Sequence, residues 1–219
     1  MSDTEYCYPP EFTVLKNKAG LRDADQLEQF ERLHTLSRLL DCPLDTPVSY
    51  EGYKEIHRQI FQDVYDWAGQ PRRIDIHKGD YFCRAPFIDQ EMRRQFQALR
   101  DENELKGLEA SRFAGRAAVY LGEINAVHPF REGNGRTQRV FLRNLAHQAG
   151  HAIDLTRIQR EDWLEASIRS FRAQDYEPME QIIRQAMGGR EQNLSDRRRE
   201  SLERMKRTAP ARSPRERER

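Results

Sequence analysis

A helical domain carrying one β-hairpin is the fold class that the sequence predicts, and three observations predict it. Apolar residues recur at steps of three and four through most of residues 23–187, which is the spacing of amphipathic helices. A single stretch, 72–87, alternates with period two around Lys78-Gly79-Asp80 instead, as a hairpin does. From residue 188 onward apolar residues become sparse and charges frequent, so this segment cannot bury enough surface to offset its ordering entropy.

Residues 1–22 hold Pro9, Pro10 and Gly20 around Phe12, Val14 and Leu15 and are expected to form an irregular N-terminal segment. Leu27, Phe30, Leu33, Leu36 and Leu40 then predict a helix from Asp23 to Leu40, closed by Pro43 and Pro47. Tyr53, Ile56, Ile60, Phe61, Val64 and Trp67 predict a second over 49–67, ending before Gly69 and Pro71. Arg73-Ile74-Asp75-Ile76-His77 and Tyr81-Phe82-Cys83 are the expected hairpin strands. A two-stranded hairpin buries little alone, so a flap lying over something is expected. Helical spacing returns over 88–104, and again over 108–127, where Ser111 is the expected N-cap. Val140, Phe141, Leu145, Ala146 and Ala149 mark a further helix ending at Gly150, and shorter ones are expected at about 159–171 and 176–187. The domain is thus read as 23–187, followed by a basic tail, 188–219, expected to be disordered.

With 219 residues, 37% of them hydrophobic, one domain with a sizeable core is expected. The formal net charge of +1 hides eleven basic against six acidic residues in 188–219, which leaves the body acidic by about four charges. A nucleic-acid partner is therefore not expected for the body, and the acids interspersed in the tail weaken a phosphate-binding case there too. Cys7, Cys42 and Cys83 have neither disulfide-framework nor metal-ligand spacing. No apolar run approaches a membrane span and no signal segment opens the chain. A cytoplasmic protein without membrane contact is expected.

The most informative stretch is His128-Pro129-Phe130-Arg131-Glu132-Gly133-Asn134-Gly135-Arg136-Thr137-Gln138-Arg139. An imidazole can take a proton near neutral pH. A lone carboxylate suits a Mg²⁺ that keeps most of its waters. Gly-Asn-Gly can aim backbone N–H groups at phosphate, and the helix after it adds its positive end. Arg136 and Arg139, three apart on that helix, can face the same anion. Residue chemistry alone therefore points to a nucleoside triphosphate site. Phe130 is expected to anchor the loop in the core, and Arg131 to point to solvent or a target. Asn125, one turn earlier, either orients the imidazole or satisfies backbone. His34, His57, His77, His147 and His151 show no mutual ligand spacing and are expected to be ordinary.

These twelve residues match the signature HxFx(D/E)GNGRxxR at every specified position, and the chain resembles the Fic (Fido) family over about residues 8–187. The resemblance implies a Fic/Fido-type helical bundle whose hairpin is a target-docking flap. It implies AMP transfer from ATP to a Tyr, Thr or Ser hydroxyl of a protein, with release of pyrophosphate. His128 would be the general base, and Glu132 the Mg²⁺ ligand. Gly133, Asn134, Gly135, Arg136 and Arg139 would bind the phosphates. Ile74, Asp75, Ile76 and His77 would pair with the target by β-augmentation, with Lys78 and Gly79 near the nucleotide; a packed surface hairpin is the plain alternative. Lys18 and Ala19 lie in a stretch similar to one touching the adenine side in relatives, although a structural turn reads as well.

Fic proteins are commonly restrained by a helix bearing (S/T)xxxE(G/N), whose glutamate pairs with the second motif arginine. Here no Ser or Thr has Glu four positions later; Thr46–Glu51 and Ser195–Glu200 are one residue too long. The chain in this respect resembles class I toxins, in which a small antitoxin supplies the glutamate, here to Arg139. The targets implied are the ATPase subunits of DNA gyrase and topoisomerase IV; host-directed relatives acting on small GTPases are the alternative, and the compact length favours the first. A non-catalytic nucleotide- or partner-binding module is the reading from a different class.

Overall fold

A computed structural model describes residues 3–78 and 80–187. Among them seven α-helices form: α1 Ala24–Asp41, α2 Tyr50–Phe61, α3 Ile88–Asp101, α4 Ala110–Val127, α5 Asn134–Gln148, α6 Arg160–Ala173 and α7 Glu177–Met187. The expected tail, 188–219, lies outside the described residues.

Each helix starts where local chemistry allows. Asp23 caps α1 by accepting from the Gln26 N–H at 2.9 Å, and Ser49 caps α2 by accepting from Gly52 N–H at 3.0 Å. Gly52 is required by close approach, since a Cβ there would lie 1.9 Å from the Pro47 carbonyl oxygen. The α2 helix ends at Phe61, six residues short of the expected Trp67. Val64 and Tyr65 instead turn back to the Phe61 carbonyl, which buries both side chains in a way that helical periodicity does not foresee. Nor is Ser111 an N-cap: α4 is preceded by Glu109, with no side-chain cap.

The central element is α4, which packs against α3, α5, α6 and α7, while α2 is held between α1 and α5. Behind the His128–Arg139 stretch stands an aromatic core. Phe130 is fully buried and its ring stacks on His57 at 3.8 Å and Tyr53 at 5.7 Å, so the loop is anchored as expected.

The hairpin expected over 72–87 is not seen as a flap of two extended limbs. Only β1 His77–Lys78 and β2 Asp80–Tyr81 pair, antiparallel, with His77 opposite Tyr81. Gly79 and the side chain of Lys78 lie outside the described residues. Arg73 and Ile74 form a bend rather than a strand, because the main chain there is gathered around the buried Arg72 side chain, which takes the Ile74 carbonyl at 2.7 Å.

Candidate active site

A cleft of about 880 Å³ opens where α4 gives way to α5. One wall is α1, with Glu28, Glu31, Thr35 and Leu36; the other is α6, with Arg160, Trp163, Leu164 and Ser167; His128, Glu132, Gly135, Arg136 and Arg139 line the floor. Sequence neighbours alone could not make this site, since its walls come from segments about a hundred residues apart.

His128 is the residue at which α4 stops. Its backbone is left-handed (φ 49°, ψ 62°) while its N–H still donates to the Ile124 carbonyl. A left-handed residue after the last helical one turns the chain sharply, and here the turn carries the imidazole into the cleft. The loop that follows is braced from inside. Asn134, buried, accepts from the Phe130 N–H at 3.0 Å and donates to the Phe130 carbonyl at 2.7 Å. The His57 Nδ1 accepts from the Gly69 N–H at 2.8 Å, so its Nε2 carries the proton and donates to the Glu132 carbonyl at 3.0 Å. Burial, and then the nearby Arg136 charge, push the His57 pKa down to about 3 against a hydrogen bond that raises it, so this ring stays neutral.

Gly133 closes the loop with φ 83°, and a Cβ there would meet the Phe61 ring at 2.2 Å. Only glycine serves both conditions. Gly135, by contrast, faces open space. The Glu132 carboxylate turns back to accept from Gly133 N–H at 2.9 Å and remains 36% exposed.

The two arginines differ. Arg136 donates to Glu31 at 2.6 Å and Thr35 at 3.3 Å, lies 3.7 Å from Glu132, and stacks over the Phe61 ring at 4.6 Å. Glu31 also accepts from the Tyr65 hydroxyl. Arg139 forms no ion pair among the described residues, and burial, with the charges of Arg136 and Arg160, lowers its pKa to about 10. Desolvated positive charge without a counter-charge is what an anionic ligand completes.

Comparison with known proteins identifies the family. The Fic/DOC family profile matches residues 47–146. A probable protein adenylyltransferase, y4lH of Sinorhizobium fredii, is 42% identical over 180 residues, which cover 81% of this chain and 93% of that protein. The chain belongs to the Fic/DOC family. The probable protein adenylyltransferase Fic of Escherichia coli is 38% identical over 164 residues, 74% of this chain and 82% of its own. Among solved structures, BepC of Bartonella tribocorum, a VirB-translocated effector protein with bound AMPPNP, superposes with a TM-score of 0.77 at 25% identity, over 86% of this chain and 99% of its own. The Fic chain is accordingly a protein adenylyltransferase, a nucleotidyltransferase.

Within this Fic domain His128, Glu132, Gly133, Asn134, Gly135, Arg136 and Arg139 line one cleft, and the more distant candidates do not line it. Lys18 and Ala19 are exposed and do not line the cleft. Their segment is tied down elsewhere, with the Lys18 N–H on the Val64 carbonyl at 2.9 Å and its ammonium 3.7 Å from Asp66. Ile74, Asp75, Ile76 and His77 do not line the cleft either; Asp75 is spent on the Ala85 N–H at 2.7 Å. Asn134 offers the cleft its main chain, because its amide is committed to Phe130. Arg131 does not face solvent or a target but bonds Asp3 at 2.6 Å. Asn125 braces helices, donating to the Ser167 carbonyl at 3.2 Å and accepting from Gln138 at 3.4 Å.

Sequence reasoning missed Glu31, Thr35, Arg160 and the bracing role of His57. Glu31 carries a weak signal, being an acid on the same helical face as the apolar Leu27. No helix among the described residues is long and apolar enough to cross a membrane, and no group of three or more His, Cys, Asp and Glu could hold a metal.

Proposed function

We propose that this Fic domain moves AMP from ATP to a Tyr, Thr or Ser hydroxyl of another protein. The hydroxyl oxygen bonds to the α-phosphorus, the bond to the bridging oxygen breaks, and pyrophosphate leaves. His128 takes the hydroxyl proton as general base. The observation that carries this reading is the convergence of His128, Glu132, Gly135, Arg136 and Arg139 on one cleft. An imidazole, a carboxylate and two guanidinium groups around open space are the parts that in-line phosphoryl transfer needs, since its catalysis rests on positioning and charge stabilisation.

Glu132 fits a Mg²⁺ ion. Its carboxylate is accessible from the cleft, and no group of three or more His, Cys, Asp and Glu forms a ligand cluster among the described residues, so phosphate and water oxygens would complete the shell, as Mg²⁺ favours. When bound, the ion supplies neutralising charge to the phosphate oxygens. Gly135 keeps a side chain out of the phosphate path, Arg136 is oriented by Glu31, and Arg139 receives the distal phosphates.

Control in trans is supported by two features. The sequence lacks a Ser/Thr-xxx-Glu helix of its own, and Arg139 has no carboxylate partner among the described residues. A small antitoxin bearing SxxxE(G/N) would supply one, its apolar side resting on Leu164 and Ile168, which are exposed beside the cleft. On this reading the protein is a class I toxin, with the ATPase subunits of DNA gyrase and topoisomerase IV as targets. A host-directed role is the second reading, favoured by the likeness to a VirB-translocated effector.

The test is incubation of a cell lysate with the protein, Mg²⁺ and ATP labelled at the α- or the γ-phosphate. Label from the α-position on protein, lost by on the order of 10²- to 10⁴-fold in His128→Ala, is expected. Transfer of γ-label instead would replace adenylylation with a kinase reaction. Adding a synthetic SxxxEG helix is expected to inhibit the wild type and to leave Arg139→Ala indifferent.

A further inference from the structure

The chain leading out of α2 carries a buried guanidinium that forms no ion pair among the described residues. Arg72 is 2% exposed, and every acceptor it finds is a main-chain carbonyl. Its Nε donates to His128 at 2.9 Å and one Nη to Val127 at 3.2 Å. These are the last carbonyls of α4, which the left-handed turn at His128 deprives of intrahelical donors. The remaining donors reach Ile74 at 2.7 Å and Cys83, the two limbs at the base of the flap segment. The Arg72 N–H adds a bond to the Pro129 carbonyl at 2.8 Å, and the Cys83 N–H one to Ala126 at 3.1 Å.

Between those limbs the Phe82 ring lies on the imidazole of His128, 4.0 Å between centroids and 20° from parallel. The same ring also meets Phe171 of α6, tilted, at 5.1 Å between centroids. The residue that ends α4 and the base of the flap segment are therefore one unit, pinned by Arg72 and faced by Phe82.

We propose that Arg72 and Phe82 are positioning residues for His128: Arg72 fixes the backbone turn that aims the imidazole, and Phe82 fixes its plane. Any polypeptide that seats on the flap segment is thereby placed at a set distance from the base. The proposal rests on the reading of His128 as the base. Neither residue touches the nucleotide cleft, so both act on the proton acceptor and not on ATP affinity.

The experiment uses the full chain with Phe82→Leu, Phe82→Tyr and Arg72→Lys. Two readouts are taken: α-label transfer to lysate proteins as a function of ATP concentration, and the ring-proton NMR signals of His128, assigned with His128→Gln. Phe82→Leu and Arg72→Lys are expected to lower kcat on the order of 10- to 100-fold, the penalty of a reacting group displaced by about an ångström, with KM for ATP unchanged. Phe82→Tyr keeps the stacked face and is expected to recover the rate lost in Phe82→Leu. In Phe82→Leu the His128 ring signals are expected to move downfield as the shielding ring is removed.

Unmoved signals with an unchanged rate in Phe82→Leu would overturn the proposal, as would a loss that appears in KM alone. If Arg72→Lys does not fold, Phe82→Leu decides, because that side chain is only half-buried and lies outside the hydrophobic core. Should the wild type transfer no α-label, the adenylylation reading fails, while the His128 signals still decide whether the ring is held by Phe82.

Discussion

The two walls of the cleft are built on opposite plans. On the α1 side, Glu31 and Thr35 hold Arg136 and Tyr65 joins through the same carboxylate, so the charges are matched within the chain. On the α6 side, Arg160 stands beside Arg139, no acid reaches either among the described residues, and Leu164 and Ile168 are 58% and 43% exposed. One wall is completed by folding; the other is left for a ligand. Two arginines three residues apart on one helix thus have different work: the first is part of the scaffold that shapes the cleft, and the second keeps a desolvated charge available for an anion.

Among the wall residues, Arg139→Ala is expected to have the largest effect on activity. Loss of a positioned cation at developing charge is expected to lower kcat/KM for ATP on the order of 10²- to 10³-fold, with an unchanged melting temperature, measured by label transfer and calorimetry. An equal loss in Arg136→Ala together with an unchanged melting temperature would erase the distinction between the two arginines.

Glu31→Gln addresses the other wall. It leaves Arg136 without its charge partner and is expected to destabilise the fold by about 1–3 kcal/mol, read by urea titration, since the hydrogen bonds lost are charge-assisted and partly buried. The fall in kcat/KM is expected to be smaller than that of Arg139→Ala. Gly133→Ala tests the loop between the walls: a Cβ 2.2 Å from the Phe61 ring, in a residue with φ 83°, is expected to cost about 1–3 kcal/mol.

A smaller effect concerns His57, which supports the Glu132 carbonyl. Its folded pKa, about 3, lies below its ordinary value of 6.5, so the unfolded chain binds the proton first. Its contribution to stability is fully present above about pH 6.5 and is lost as pH drops toward 3. The stability gap between wild type and His57→Gln is expected to narrow over that window in urea titrations at stepped pH. The smallest change is expected in Arg160→Ala, an exposed charge whose removal shifts KM for ATP a few-fold at low salt and less at high salt.

Much of the fold was legible because helices announce themselves locally. Leu27 and Phe30, Ile56 and Ile60, Leu121 and Ile124 sit at helical spacing, and each predicted helix is present, with α2 stopping short where Val64 and Tyr65 turn inward. The hairpin was overestimated, because alternation at Arg73-Ile74-Asp75 reflects packing around Arg72 and not strand pairing. That Lys18, Ala19, Ile74, Asp75, Ile76 and His77 do not line the cleft was not legible in the sequence, since it depends on where a segment lies relative to a cleft that the segment itself does not form.

What the sequence by itself determined is the chemistry carried on a short stretch: the imidazole, carboxylate, glycine turn and arginine pair of His128–Arg139 lie close in the chain, so their convergence needs only one turn and one helix. What the tertiary structure alone decided is how those groups are held and which charge is left unmatched. Glu31 meets Arg136, Arg72 meets His128, and His57 meets Glu132 across long stretches of chain, and such pairings are set by the packing of helices, which no local pattern encodes.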